Sequence, residues 1–122
     1  MIEIEKRYDI RERTYKFAVQ IVKFCVGLLK DTELRDIGRQ LIRSGTSIGA
    51  NAEEADGSRT RKEFGNKMTI ARNEAKETKY WLRLMIDSGL LKSENIITKA
   101  KVLLAECEQL CKILSAIIIK ID

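Results

Sequence analysis

The chain has 122 residues, a length typical of one domain built around one hydrophobic core. It contains no proline and no histidine, and its 23 basic and 18 acidic residues give a formal net charge of +5. The absence of proline favours long uninterrupted helices, and the absence of histidine excludes histidine-based catalysis, Cys-x-x-Cys-His haem attachment and the Glu-x-x-His pairs of di-iron bundles. The composition therefore predicts a single all-α domain without the commonest catalytic side chain.

The N-terminal residues give no targeting signal. The segment MIEIEKRYDI lacks the basic start and the apolar run of a signal peptide. No stretch approaches the roughly 18 apolar residues of a membrane-spanning helix. We expect a cytoplasmic protein with no membrane association, in which Cys25, Cys107 and Cys111 stay reduced.

The first quarter of the chain has the spacing of one helix. Its apolar positions follow steps of four and three, with Thr14 in the one gap: Ile10, Phe17, Ile21, Phe24 and Leu28. Asp9 followed by Glu12 resembles a capping box, which marks a helix start. We predict a helix over residues 9–30, preceded by a loosely ordered polar segment.

The second predicted helix has an apolar face, here called its seam, with unusually small side chains. Asp31 and Thr32 offer an N-cap, and Gly57 offers a stop. The seam between them is Leu34, Gly38, Leu41, Gly45, Ile48, Ala52 and Ala55. Glycine costs about 1 kcal/mol relative to alanine inside a helix. We predict a helix over 33–56 in which close approach of another backbone offsets that cost.

The second half of the chain predicts two more helices. Thr60 with Glu63 forms a capping box for a helix over 61–88, and Ser93 caps a helix over 94–121. The seam of the third helix is Phe64, Met68, Ala71, Ala75, Thr78, Leu82 and Met85. The seam of the fourth is Ile96, Ala100, Leu103, Cys107, Leu110, Leu114, Ile117 and Ile121, with a second row at Ile97, Leu104, Cys111 and Ile118. Short loops between long helices predict an antiparallel up-down-up-down four-helix bundle, and the broad apolar face of the fourth helix is expected to contact another subunit.

Basic residues form rows on the first and third helices. Residues 61–92 hold 8 basic and 4 acidic residues, and residues 1–30 hold 7 and 4. The row on the third helix is Arg72, Lys76, Lys79 and Arg83, and the row on the first is Arg13, Lys16, Lys23 and Lys30. Such rows are able to follow a phosphate backbone, and the alternative is a solubilising surface. Tyr80 and Trp81 are expected beside the third-helix row, either stacking on bases or packing.

Other candidate chemistry is incomplete. Cys25, Cys107 and Cys111 would be an incomplete ligand set for a soft metal, so we interpret them as small core residues. Four glutamates between the second and third helices would form an acid/base or Mg²⁺ site if they converged: Glu53, Glu54, Glu74 and Glu77. Salt bridges to Arg72, Lys76 and Lys79 are the favoured alternative. We predict no catalytic residues, no metal and no cofactor.

The segment RSGTSIGANAEEADG, residues 43–57, together with EAKETKYWLRLMIDSGLL, resembles the four-helix-bundle family of proteins encoded in intervening sequences of bacterial 23S ribosomal RNA genes. The residues most specific to the resemblance are Arg43, Ser47, Ile48, Asn51 and Glu54. Gly49 stands where many members have proline, and Ala55 where they have glycine, in agreement with a second common form of the motif. The resemblance covers essentially the whole chain.

This resemblance implies a ring-shaped homopentamer with no established catalytic activity. Relatives in diversity-generating retroelements are nucleic-acid-binding partners of a reverse transcriptase. Two hypotheses follow: a nucleic-acid-binding accessory protein for RNA or DNA, and a protein-protein scaffold for an enzyme such as a reverse transcriptase. A metal-dependent hydrolase using the glutamates is a third.

The motif residues also have a physical interpretation of their own. Ser47, Asn51 and Glu54 are spaced by four and three residues, so they share one side of the second helix. Polar groups so near the core need partners, for which Arg43 and Glu77 are candidates. We expect a hydrogen-bonded network that fixes helix register or a subunit contact, with a functional pocket as the alternative.

Overall fold

The computed structural model describes residues 4–121, with side chains from residue 9 onward, and this part of the chain folds into four helices without strands. The helices are α1 (Ile4–Leu28), α2 (Arg35–Asp56), α3 (Arg61–Asp87) and α4 (Glu94–Ile121). α2 packs between α1 and α3, and α4 packs against α3 and, more loosely, against α1. Within the described residues, no Cα atoms of the diagonal pairs, α1 with α3 and α2 with α4, lie within 8 Å of each other. The architecture is the predicted antiparallel up-down-up-down bundle.

The predicted seams form the core. Every seam residue of the second and third helices is buried. In α1, Cys25 takes the buried position and Phe24 is half-buried, and in α4 the end residues Ile96 and Ile121 are half-buried. Spacing of four and three residues is therefore enough to place the core, because side chains at those intervals lie on one helix face.

The start of α1 differs from the prediction. The helix begins at Ile4, so Asp9 lies inside it and the proposed capping box at Asp9 is wrong. The expected loose segment is helical over residues 4–8, and residues 1–3 of it lie outside the described residues. Nothing between residues 4 and 9 breaks a helix, since no proline or glycine occurs before Gly27. α1 ends at Leu28, two residues earlier than predicted.

The start of α2 also shifts. Asp31 makes a turn first: its Oδ1 accepts the Glu33 N–H at 2.8 Å, and its carbonyl oxygen accepts the Arg35 N–H at 2.9 Å. Leu34 occupies the N-cap position without a side-chain cap, and it is buried. The helix therefore begins at Arg35, because Asp31 stabilises the preceding turn and does not cap α2 itself.

The other two caps are as predicted. Thr60 Oγ1 accepts the Glu63 N–H at 3.1 Å, and Ser93 Oγ accepts the Ile96 N–H at 3.2 Å. Glu63 returns its carboxylate to the Arg59 N–H at 3.0 Å, one residue before the expected partner. α3 ends at Asp87, and Gly89 follows with φ +75°, a left-handed conformation that glycine adopts without a Cβ penalty.

The small residues of α2 lie where α1 comes closest. A Cβ added to Gly45 would lie 2.9 Å from Ile21 Cγ2, and one added to Gly49 would lie 3.3 Å from the Thr14 carbonyl carbon and oxygen. Both distances are shorter than ordinary van der Waals contact. The predicted role is confirmed at Gly45 and Gly49, since their missing side chains allow α1 and α2 to pack closely, whereas a Cβ at Gly38 would make an ordinary contact, 3.5 Å from Leu28 Cβ.

Candidate functional site

The charged residues of α3 separate onto two flanks. Glu74 and Glu77 lie on the flank toward α2, where both pair with the Arg43 guanidinium, Glu74 at 3.2 Å. The basic residues lie on the flank toward α4, where Lys79 Nζ is 3.9 Å from Glu108. α3 therefore presents its negative charge to α2 and its positive charge to α4.

We call the row on the flank toward α4 the α3 basic row. It consists of Arg72, Lys76, Lys79 and Arg83. Within the described residues, no carboxylate lies within 4 Å of the charged groups of Arg72, Lys76 or Arg83. Lys76 and Arg83 are exposed, and Arg72 is half-buried. Glu74 and Glu77 pair with Arg43 on the opposite flank. The positive charge of most of the α3 basic row is therefore not compensated by a nearby carboxylate.

The α1 basic row of Arg13, Lys16, Lys23 and Lys30 is more neutralised. Arg13 makes two hydrogen bonds to Glu106 of α4, both at 2.8 Å, and these raise the pKa of the guanidinium. Lys16 Nζ is 4.0 Å from Glu12, whereas Lys23 and Lys30 have no carboxylate within 4 Å in the described part of the chain. The α1 basic row is therefore the weaker candidate for anion binding.

Both rows border α4 but remain apart. Arg13 contacts Glu106 on one side of α4, and Lys79 approaches Glu108 on the other, while no Cα atoms of α1 and α3 in the described residues lie within 8 Å of each other. Lys101 and Lys112 of α4 are exposed. We call the outer surface of α4, with the two flanking rows, the α4 face. The sequence did not single out Lys101 and Lys112, since an isolated lysine on a helix carries no pattern.

The two aromatic residues lie on different sides of α3. Their rings meet edge to face, with centroids 5.3 Å apart. Tyr80 is 59% exposed and follows Lys76 by four residues, so it remains available for stacking. Trp81 follows Glu77 by four residues and packs against the core, on the α2 flank. The expectation that Trp81 lies beside the basic row is wrong.

The motif residues link α2 internally and to α3. Ser47 Oγ donates to the Arg43 carbonyl at 2.7 Å, and Asn51 Nδ2 donates to the Ser47 carbonyl at 2.8 Å. Glu54 pairs with Lys67 of α3 at 2.9 Å, and Ile48 is fully buried. Of the two candidate partners, Arg43 serves Ser47 through its carbonyl oxygen, while its guanidinium pairs with Glu77. The geometry favours a role in fixing α2 against α3.

The four glutamates do not assemble into one site. Glu53 pairs with Arg11 at 2.9 Å, whereas Glu74 and Glu77 meet at Arg43, ten residues or about 15 Å away along α2. Within residues 9–121, no group of three or more Cys, Asp or Glu side chains is placed to hold a metal ion. Salt bridges explain these glutamates, with Arg11, Arg43 and Lys67 as partners instead of the expected stripe residues.

The three thiols differ in environment. Burial raises the pKa of Cys25 to about 12. The Cys107 thiol donates to the Ala75 carbonyl at 3.2 Å, and its contact with Cys111 and its burial raise its pKa. The contact with Cys107 and the ammonium groups of Lys79 and Lys76 lower the pKa of half-buried Cys111 to about 7. Cys111 is also the only one of the three thiols that is not buried, so we expect it to be the most reactive.

We expect Ellman's reagent to titrate one thiol in the native protein and three after denaturation. The raised pKa of Cys25 also predicts a pH dependence: Cys25 stabilises the fold below pH 9, and that stabilisation falls above pH 9 as the unfolded chain loses the thiol proton, by about 1.4 kcal/mol per pH unit. Urea unfolding at pH 8 and pH 10 measures this loss. A Cys25→Ala variant, though less stable at pH 7, is expected to lose less stability between pH 8 and pH 10; an equal loss would contradict the raised pKa of Cys25.

Exposed apolar side chains form a row on α1 that the sequence reasoning missed. Tyr15, Val22 and Val26 are 61%, 42% and 55% exposed and follow each other at seven and four residues. That spacing was the available signal. The second row of α4, which was expected to contact another subunit, is half-buried against the core of the same chain. The most exposed large apolar residues of α4 are Val102 and Ile119, which lie outside that row.

None of the helices in the described residues combines the length and apolarity that a membrane span needs. The fold and the α4 face define a four-helix bundle with a basic surface. The model of the family "23S rRNA-intervening sequence protein" matches residues 6–116, and the chain belongs to this family.

A solved structure agrees with this assignment. It is the crystal structure of a protein of unknown function from the S23 ribosomal protein family of Bacteroides thetaiotaomicron, determined at 1.70 Å. It is 34% identical, covers 93% of this chain and 97% of its own, and superposes with a TM-score of 0.81. No curated protein matches the chain. The comparisons identify no enzyme family.

Proposed function

We propose that this protein is a non-enzymatic, oligomeric, cytoplasmic accessory protein that binds RNA or DNA through the α3 basic row. The observation that carries the proposal is the charge separation on α3, which leaves Arg72, Lys76 and Arg83 without carboxylate partners among the described residues while Arg43 holds Glu74 and Glu77. A solubilising surface needs no such separation, since mixed charges serve solubility equally well.

The length of the row suits a phosphate backbone. From Arg72 to Arg83 the helix rises about 16 Å, over which one strand of a duplex places about five phosphates. Contacts between arginine or lysine and phosphate carry no sequence information, so the proposed binding to the backbone is independent of base sequence. Tyr80 supplies one exposed ring for stacking on an unpaired base.

Self-association supports the same function. The exposed apolar row of Tyr15, Val22 and Val26 is suited to a subunit contact. An oligomer repeats the α3 basic row in every subunit, and one nucleic acid bound at several rows gains avidity over one bound at a single row. We propose the homopentamer that the resemblance implies, which would present five such rows.

The test uses the whole chain in two measurements. Light scattering coupled to size exclusion, before and after nuclease treatment, gives the subunit number and the 260-to-280 nm absorbance ratio. Fluorescence anisotropy with labelled single-stranded RNA, duplex RNA and duplex DNA gives affinity as a function of salt. We expect a nuclease-resistant oligomer and binding that weakens steeply with salt; a monomer contradicts the oligomer, and no binding at 50 mM salt contradicts the nucleic-acid function.

A protein-protein scaffold is the second candidate, favoured by the same α1 apolar row. In that case the row serves an enzyme partner such as a reverse transcriptase, and the basic residues only steer the encounter. Capture of a discrete protein that survives nuclease treatment, and that is lost on Val22→Lys but kept when the α3 basic row is neutralised, would favour the scaffold.

A further inference from the structure

A cleft opens at one end of the bundle, where α1 and α4 are packed loosely. It has a volume of about 270 Å³ and lies between the end of α1, the α1–α2 and α3–α4 loops, and the start of α4. Its apolar lining is Phe24, Leu28, Leu34, Leu91 and Ile96. Phe24 and Ile96 are only half-buried, so they leave apolar surface facing the cleft. The volume is just below the roughly 300–1,000 Å³ of typical small-molecule sites.

The polar side chains of the cleft are nearly all cationic. Lys23 of α1, Lys92 of the α3–α4 loop and Lys99 of α4 line it, with Asp31 as the single acidic residue. Lys92 is paired with Glu33 at 3.3 Å. Within the described residues, Lys23 and Lys99 have no carboxylate within 4 Å. Two uncompensated ammonium groups therefore stand beside an apolar floor.

Gly27 lines the cleft without contributing a side chain. It lies in the last turn of α1, and a Cβ added there would have no heavy atom within 4 Å. Close packing therefore does not explain this glycine, in contrast to Gly45 and Gly49. A larger side chain at residue 27 has room to project into the cleft without disturbing the bundle.

We propose that this cleft binds a small amphipathic anion, an aliphatic carboxylate, with the carboxylate between Lys23 and Lys99 and the chain on the apolar floor. The charge calls for an anion, because a neutral or cationic ligand would leave both lysines unpaired. The lining side chains offer no amide or hydroxyl group, so they match a ligand with one charged end and no further polar groups. A nucleobase, with several ring and exocyclic polar atoms, fits this floor less well.

Calorimetric titration of the full chain with octanoate tests the proposal, with octan-1-ol and octylammonium as the matched neutral and cationic probes. We expect saturable octanoate binding at millimolar concentration or below, as a ligand of about ten heavy atoms allows, and no saturation with octylammonium. Octanol is expected to bind at least tenfold more weakly than octanoate. No saturation with octanoate, or equal binding of octanoate and octylammonium, would overturn the proposal.

Three variants locate the binding. Lys23→Gln with Lys99→Gln is expected to weaken octanoate at least tenfold, and Gly27→Leu to block it by filling the cleft. Lys101→Gln with Lys112→Gln removes the same charge from exposed positions outside the cleft and is expected to leave octanoate binding unchanged. Equal weakening by both lysine pairs would show an unspecific charge effect and overturn the site.

A membrane-lipid source of the anion is distinguished by sedimentation with phosphatidylglycerol vesicles. Vesicle binding that needs Lys23 and Lys99 without saturable octanoate binding would overturn the small-ligand proposal. Nucleic-acid affinity is measured separately on the Gly27→Leu variant, which leaves every basic residue in place. Rejection of octanoate binding in the cleft and rejection of nucleic-acid binding by the α3 basic row are therefore separate results.

Discussion

Gly45→Ala is expected to destabilise the wild-type bundle but to stabilise a bundle in which Ile21 has been shortened to alanine. The new Cβ would lie 2.9 Å from Ile21 Cγ2 and 3.0 Å from Cγ1, and both residues are buried. Overpacking of about 1–3 kcal/mol opposes a gain in helix propensity of about 1 kcal/mol, so we expect a net loss of about 1 kcal/mol. Ile21→Ala alone should cost about 2–5 kcal/mol by leaving a cavity.

The double variant isolates the contact. With Ile21 shortened, the two closest contacts of the new methyl group are gone and only the Cβ of residue 21, at 3.3 Å, remains near it. Gly45→Ala should then add up to about 1 kcal/mol of stability and give a coupling energy of about 1–3 kcal/mol. Urea unfolding of the four proteins measures the cycle. Gly27→Ala is the control, because its Cβ meets nothing within 4 Å and only the propensity gain remains. A coupling energy near zero would show that the two helices move apart freely, against the close packing described above.

The core was predictable because its signal is local and periodic. Residues of the α3 seam such as Phe64, Ala71 and Leu82 are apolar at steps of three and four, and helix geometry alone places them on one face. Caps were predictable where one side chain meets one nearby N–H, as at Thr60. The start of α1 was not, because Asp9 has the same sequence signature inside a helix as at its beginning.

The candidate site was predictable only in part. Spacing placed the α3 basic row on one flank, but spacing does not show that Arg43 holds Glu74 and Glu77 while Arg13 is neutralised by Glu106. Those pairs join residues at least 31 positions apart, so they depend on which helices are neighbours and at what height. The cleft at Lys23 and Lys99 was not predictable for the same reason, since its walls come from residues 23–34 and 91–99, which are far apart in the sequence.

Neutralising the α3 basic row is expected to weaken nucleic-acid binding about 100-fold at 100 mM salt and to make the remaining binding less sensitive to salt. The variant carries Arg72→Gln, Lys76→Gln, Lys79→Gln and Arg83→Gln. If each residue meets one phosphate, the slope of log affinity against log salt should fall by about 3 to 4, because fewer counterions are released. These side chains are exposed or half-buried, and their polar contacts in the described residues are the weak Lys79–Glu108 pair at 3.9 Å and the Arg72–Asn73 hydrogen bond at 3.5 Å, so the fold should be retained.

A second variant separates the row from net charge. It replaces two arginines and two lysines outside the α4 face, all of them exposed: Arg39→Gln, Arg59→Gln, Lys62→Gln and Lys92→Gln. Both variants lower the formal charge by four, from +5 to +1. Anisotropy titrations from 50 to 300 mM salt should show a near-normal slope for this control and a shallow one for the row variant. Equal slopes would mean that nucleic acid responds to overall charge, and the charge separation on α3 would then serve only the packing of α2 against α3.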